Sequence, residues 1–140
     1  DGVERARLER GAPSNVSFVG WLPSEPLRDS YRRCRALLFP GEEDFGIVPV
    51  EAQATGAPVI GLGRGGLLET VRRDQSGVFF EQATPEALEA AILRFEAMNW
   101  NAAEIREGVL RFGPKRFEQE ISAWLAEEFA AAPPPQTARR

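Results

Sequence analysis

The chain has 140 residues, 43% of them apolar, with 21 Asp and Glu against 17 Lys and Arg, a net charge of -4 and a pI near 5.0. That length suits one domain with a real core, and the acidic balance argues against a nucleic-acid surface or a polybasic membrane anchor. No apolar run approaches the ~20 residues of a spanning helix, the charged opening "DGVERARLER" is no signal peptide, and one cysteine with no histidine excludes an intrachain disulfide, Ser-His-Asp and Cys-His nucleophiles, and any His-ligated metal.

In chain order, residues 3–10 read as the end of a helix, stopped by Gly11 and Pro13. "NVSFVG" (15–20) is a short β-rich run, and Ser24 is placed to cap a helix reaching Cys34, with Pro26 in its first turn. Cys34, just before the apolar run "ALLFP" (36–40), reads as buried and inert. That run is a buried strand, followed by a helix from Gly46 to Thr55 that Gly56 ends. "PVIGL" (58–62) is a strand, "LLETVRR" (67–73) a short helix and "SGVFFE" (76–81) a strand. Thr84-Pro85-Glu86 starts a helix to Ala97, Asn101 caps another to Phe112, and Pro114 begins a last one to Ala131. Residues 132–140 are expected to be a disordered tail. The alternation predicts an α/β fold, a Rossmann-like parallel sheet of about four strands flanked by helices, as one domain over 1–131.

Ligands of such sheets bind beyond the carboxyl ends of the strands, so the loops after Phe39 and Ile60 are the candidate sites. Gly46 stands at a helix start, where unpaired N–H groups and a partial positive charge suit a phosphate and a missing Cβ admits a ligand. Glu43 and Glu51 flank it, eight positions apart, and carboxylates accept hydroxyl hydrogen bonds from sugar diols. A plain acidic loop with a helix-start glutamate is the competing reading. "GLGRGG" offers a rival site, because Gly61, Gly63 and Gly66 satisfy G-x-G-x-x-G between a strand and a helix, with Glu81 beyond. The predicted helix after it is short for a dinucleotide site, so a glycine loop facing a ligand held elsewhere fits better.

The segment "FPGEEDFGIVPVEAQATGAPVIGLGRGGLLETV" resembles the C-terminal, donor-binding domain of GT-B fold, E-x7-E glycosyltransferases of group 1 type. Glu43 and Glu51 match the motif, and Ala54, Gly56, Pro58-Val59-Ile60, Gly65-Gly66 and Glu69 match the family pattern after it. The wording is closest to the mannosyltransferase-like branch, which points to GDP-mannose. The resemblance implies that Glu43 holds the donor sugar near the reacting centre, as the catalytic candidate. It places sugar hydroxyls and diphosphate at Phe45 and at the amides of Gly46, Ile47 and Val48, with Gly65 and Gly66 beside them. It gives Glu51 the ribose diol and the turn Gly20-Trp21-Leu22 the base.

Such enzymes retain anomeric configuration and need no bound metal or other cofactor; the sugar nucleotide is a substrate. The resemblance also implies a separate acceptor-binding domain, or a partner chain that replaces it. The chain opens without Met and in mid-pattern, as expected of an N-terminally truncated domain lacking its first strand–helix unit and the Arg/Lys clamp for the diphosphate. Arg64 can lend a charge there or serve the surface. Exposed sheet edges make a homodimer the expected self-association. The chain alone is expected to be inactive, and cytoplasmic or held at a membrane surface by further sequence or a lipid-linked acceptor. A non-catalytic sugar-nucleotide-binding or subunit-interaction module is the alternative.

Overall fold

A computed structural model describes residues 2–131. The elements are α1 (Arg5–Gly11), α2 (Ser24–Arg33), β1 (Leu37–Phe39), α3 (Ile47–Ala54), β2 (Val59–Leu62), α4 (Leu67–Thr70), β3 (Gly77–Phe80), α5 (Pro85–Glu96), α6 (Ala102–Val109), a 3₁₀ turn (Leu110–Phe112) and α7 (Pro114–Ala131). The expected tail, 132–140, lies outside the described residues.

The three strands form one parallel sheet in the order β1-β2-β3. Leu38 pairs with Ile60 and Ile60 with Val78 across it. All residues of β2 and β3 are buried, which is the continuous apolar reading of a sheet covered on both faces. Alternation along the strands splits the core in two. Ile60, Leu62, Val78 and Phe80 meet Ala91 and Phe95 of α5, and Trp100 stacks on Phe95 with ring centroids 5.1 Å apart. On the opposite face Val59 and Phe79 meet Leu67 and Val71, with Leu37 and Phe39 packed against them.

The helix starts carry their signals unevenly. Thr84 caps α5 by accepting from the Ala87 N–H at 3.2 Å, and Asn101 caps α6 by accepting from Ala103 and Glu104. Ser24 does not cap α2. It is the first helical residue, and no side chain caps that start.

The run 15–20 is not a strand, so the sheet has three strands rather than four. Val16 and Val19 are exposed, and no described strand offers this segment a ladder. Pairing and packing make a strand, and β-propensity alone does not. α4 stops at Thr70, short of the predicted Arg73, because Val71 turns extended to join the core and the Arg72 N–H donates to Ser76 Oγ at 2.9 Å. Cys34 is half-buried rather than buried, and its thiol donates to the Tyr31 carbonyl at 3.2 Å.

One buried polar side chain ties α3 to the end of α4. Gln53 donates through Nε2 to the carbonyls of Pro49 (3.0 Å) and Thr70 (3.1 Å). A Gln53→Leu substitution keeps the bulk but leaves the Thr70 carbonyl without this donor. It is expected to cost ~1–3 kcal/mol, read as a lower urea midpoint at unchanged slope.

Candidate functional site

The site is built where β1 and β2 end. Residues 41–46 leave β1 and enter α3 through Gly46, whose φ of 81° lies in the left-handed region that side chains avoid. α3 then begins with Ile47 and Val48, whose backbone N–H groups have no acceptor among the described residues. Pro49 comes next, with no N–H to satisfy. The helix start therefore presents open donors at its positive end.

The loop after β2 closes on the acidic loop. The Gly66 N–H donates to the Glu43 carbonyl at 2.8 Å. A Cβ on Gly65 would lie 2.5 Å from that same oxygen, and one on Gly66 would overlap the Asp44 carbonyl and the Phe45 Cα. Gly61 sits in the sheet with its missing Cβ directed at Leu67 and the Phe39 carbonyl. Two of the three G-x-G-x-x-G glycines, Gly61 and Gly66, are thus taken up by close approach within the fold, and α4 behind them is only 4 residues long. Both features disfavour the dinucleotide alternative, and the glycine loop faces a neighbouring loop. Arg64 lies 4.0 Å from Glu42 at the surface.

Glu43, Phe45, Gly46, Gly65 and Gly66 are therefore brought together at one edge. Phe45 also packs edge-on against Phe112, with centroids 5.4 Å apart, so part of its ring serves the junction with α7. Glu51 is exposed one turn into α3 and looks elsewhere. It lines a cleft of about 450 Å³ with Ser24, Leu27, Arg28, Tyr31 and Arg32 of α2, Ala54, Thr55 and Arg106, and Glu43 is not among its walls. Gly20 (φ 67°), exposed Trp21 and half-buried Leu22 form the turn that leads into α2. They adjoin the Glu51 cleft through α2 rather than through the glycine loops.

The α2 wall of the cleft is absent from the sequence-based set of site residues. Ser24, Leu27, Arg28 and Tyr31 recur at helical spacing, so the sequence carries the signal. Arg106, from a helix 55 positions after Glu51, leaves none. Burial pushes the Tyr31 phenol above its ordinary value, and the negative charge of the Glu51 carboxylate adds to the rise. Burial also raises the Cys34 thiol, in keeping with an inert cysteine. The described residues gather no set of three carboxylate, cysteine or histidine groups able to hold a metal, and no described helix is long and apolar enough to cross a membrane.

Comparison with known proteins decides the family. Residues 1–109 match the family "Glycosyl transferases group 1". The chain belongs to this glycosyltransferase family. It is 35% identical over 96 residues to a D-inositol 3-phosphate glycosyltransferase of Streptomyces griseus, covering 68% of this chain and 20% of the relative. It is 34% identical over 137 residues to one from Geodermatophilus obscurus, covering 93% of this chain and 29% of the relative. Among solved structures, sucrose-phosphate synthase from Thermosynechococcus elongatus superposes with a TM-score of 0.78 at 30% identity, over 94% of this chain and 36% of that one. The architecture matches the C-terminal Rossmann-like domain of GT-B glycosyltransferases. The chain thus spans well under half the length of these relatives.

Gly66→Ala is expected to destabilise the fold by ~1–3 kcal/mol as an overpacking change and to speed amide exchange across residues 41–47. Tyr31 and Cys34 hold their protons more tightly folded than unfolded, so stability is unaffected below the ordinary thiol value of 9.0 and declines as pH rises through the two raised values. Denaturant midpoints at neutral and alkaline pH check this.

Proposed function

We propose that the chain is the donor-binding portion of a retaining, E-x7-E group 1 glycosyltransferase. It would hold a nucleotide-diphospho-sugar while the sugar passes to an acceptor. The observation that carries this reading is the open helix start at Gly46-Ile47-Val48, with Glu43 immediately before it and Glu51 within α3. Free amides at a positive helix end suit a diphosphate. Glu43 would accept from the donor sugar's hydroxyls and Glu51 from the ribose diol. Gly20, Trp21 and Leu22 would meet the base, Phe45 and the amides of Ile47 and Val48 the sugar and diphosphate, and Gly65 and Gly66 would shape the floor. The reaction is proposed to need no cofactor, the leaving diphosphate being stabilised by fixed donors.

Wording in residues 40–71 favours a mannosyltransferase-like protein and GDP-mannose. The curated relatives are named for inositol phosphate, which makes a phosphorylated polyol the first acceptor to try. The acceptor-binding part is proposed to come from a further domain or a partner chain. Two exposed surfaces favour that view. One is the free edge of β1, where Leu38 is exposed, and the other is the apolar face of α7, with Phe117, Trp124, Leu125 and Phe129 exposed. The same edge favours the second reading, a non-catalytic sugar-nucleotide-binding or interaction module, with a homodimer as its simplest form. A cytoplasmic location, with or without a lipid-linked acceptor at the membrane surface, belongs to the proposal.

Thermal-shift titration with GDP-, UDP- and ADP-sugars tests the donor. Glu51→Gln keeps the shape and loses charge-assisted acceptance, worth ~1.5–3 kcal/mol, so affinity should fall roughly ten- to a hundredfold with the fold intact. Unchanged affinity would make Glu51 a plain helix-start acid. The chain by itself is expected to transfer or hydrolyse no sugar, since positioning of two reactants supplies ~7–11 kcal/mol in an oriented case. Turnover of GDP-mannose or UDP-glucose that tracks the protein through purification and vanishes in Glu43→Ala would overturn this.

A further inference from the structure

We infer that Arg111 and Phe112, on the 3₁₀ turn after α6, are positioning residues for the acidic loop 41–46, holding Phe45 and its neighbours Glu43 and Gly46 against α4. The purpose given to them rests on the proposed role of that loop in holding the donor. Two side-chain contacts carry the inference. The Phe112 ring meets the Phe45 ring edge-on, with centroids 5.4 Å apart and planes at 88°. The Arg111 guanidinium lies over the Phe112 ring, 4.5 Å from its centroid, and donates through Nη2 to the Glu69 carbonyl of α4.

A helix of 4 residues leaves its last carbonyls without partners of its own. In α4 two of them are met from outside: the Thr70 carbonyl accepts from Gln53 and the Glu69 carbonyl from Arg111. A cation suits that end, where the helix carries its partial negative charge. Three links then close a circuit. Gly66, at the start of α4, donates to the Glu43 carbonyl at 2.8 Å, Arg111 is bonded near the other end of α4, and Phe112 packs on Phe45. The Gly66 bond alone fixes the acidic loop at one point. The aromatic contact fixes it at a second, between Glu43 and the left-handed Gly46. Phe45 is still 42% exposed, so the contact orients the loop without drawing it into the core. The turn that supplies the contact is itself anchored. α6 runs directly into it with Ile105 and Val109 buried, and Arg72 donates to the Glu104 carbonyl at 3.3 Å, its guanidinium occupying the space that a Cβ on Gly108 would take.

The Gly66 amide reports the loop contact directly, because its acceptor is the Glu43 carbonyl. Its hydrogen exchange, followed by NMR, is expected to be about two- to tenfold faster in Phe112→Leu and in Arg111→Ala than in the intact chain, the measure of one aromatic contact. The amides of β2 and β3 are expected to exchange as before. Those buried strands open only with the whole fold, so a side chain that merely stabilised the fold would speed both sets alike. Phe45→Leu should reproduce the effect. The double variant Phe45→Leu/Phe112→Leu should go no further than the stronger single variant, because the two rings act through each other. An unmoved Gly66 amide, strand amides that quicken in step with it, or single effects that add in the double variant would overturn the positioning role.

Binding of GDP-mannose and UDP-glucose to the same variants tests the purpose. Phe112→Leu and Arg111→Ala should bind about two- to tenfold more weakly, since a loop held in place for less of the time offers a smaller competent fraction. A faster Gly66 amide with unchanged affinity would overturn the role in donor binding. No binding of either sugar nucleotide by the intact chain would instead overturn the donor reading of the loop, and the brace then stands or falls on the exchange of Gly66 alone.

Discussion

The contact between the loops at the ends of β1 and β2 governs the site. At its centre are one hydrogen bond, from the Gly66 N–H to the Glu43 carbonyl, and two glycines with no space for a side chain, with the exposed Arg64–Glu42 pair at 4.0 Å beside them. Backbone packed against backbone at this range leaves the acidic loop little freedom. Its exit into α3 is fixed by the left-handed Gly46, and the last turns of α3 and α4 are joined by Gln53. The open amides of Ile47 and Val48 are therefore held by the sheet itself. A preorganised donor set loses less ordering entropy on binding than one that must be assembled.

Much of this is legible in the sequence because the signals are local. The two strands β2 and β3 are unbroken apolar runs, and Thr84 and Asn101 precede helices with the right spacing for caps. The glycine loop and the acidic loop are each visible as candidates. Their contact is not, since nothing in a sequence states which of two loops a glycine accommodates. The same limit explains the run 15–20. "NVSFVG" has strand chemistry, but a strand requires a neighbour, and composition does not say whether one is present. The cleft beside Glu51 combines both cases. Its α2 wall repeats with helical period, whereas Arg106 arrives from a helix brought in by tertiary packing.

Among the described residues the arginines lining the cleft form no ion pair with Glu51. Arg28, Arg32 and Arg106 line the cleft together with this carboxylate. Here Glu25 and Asp29, each three positions before its partner on α2, take up Arg28 and Arg32. Such exposed pairs contribute little to stability, typically ~0.2–1 kcal/mol. Under the proposed role of Glu51, they would also occupy two arginines beside a group whose task is to accept hydroxyls.

The two halves of the proposed site rest on unequal foundations. Glu43, Gly46, Gly65 and Gly66 stand on the sheet, whose β2 and β3 residues are fully buried, with Ile105 and Val109 of α6 anchoring α3 from outside. α1 and α2 contain no buried residue, and the turn Gly20-Trp21-Leu22 lies between them without a ladder. Local opening is favoured where few apolar contacts must be broken. The layer of α1, α2 and the turn Gly20-Trp21-Leu22 is therefore the most open to local opening, and the loops standing on the sheet the least. A nucleotide bridging both halves would join the loose layer to the firm one.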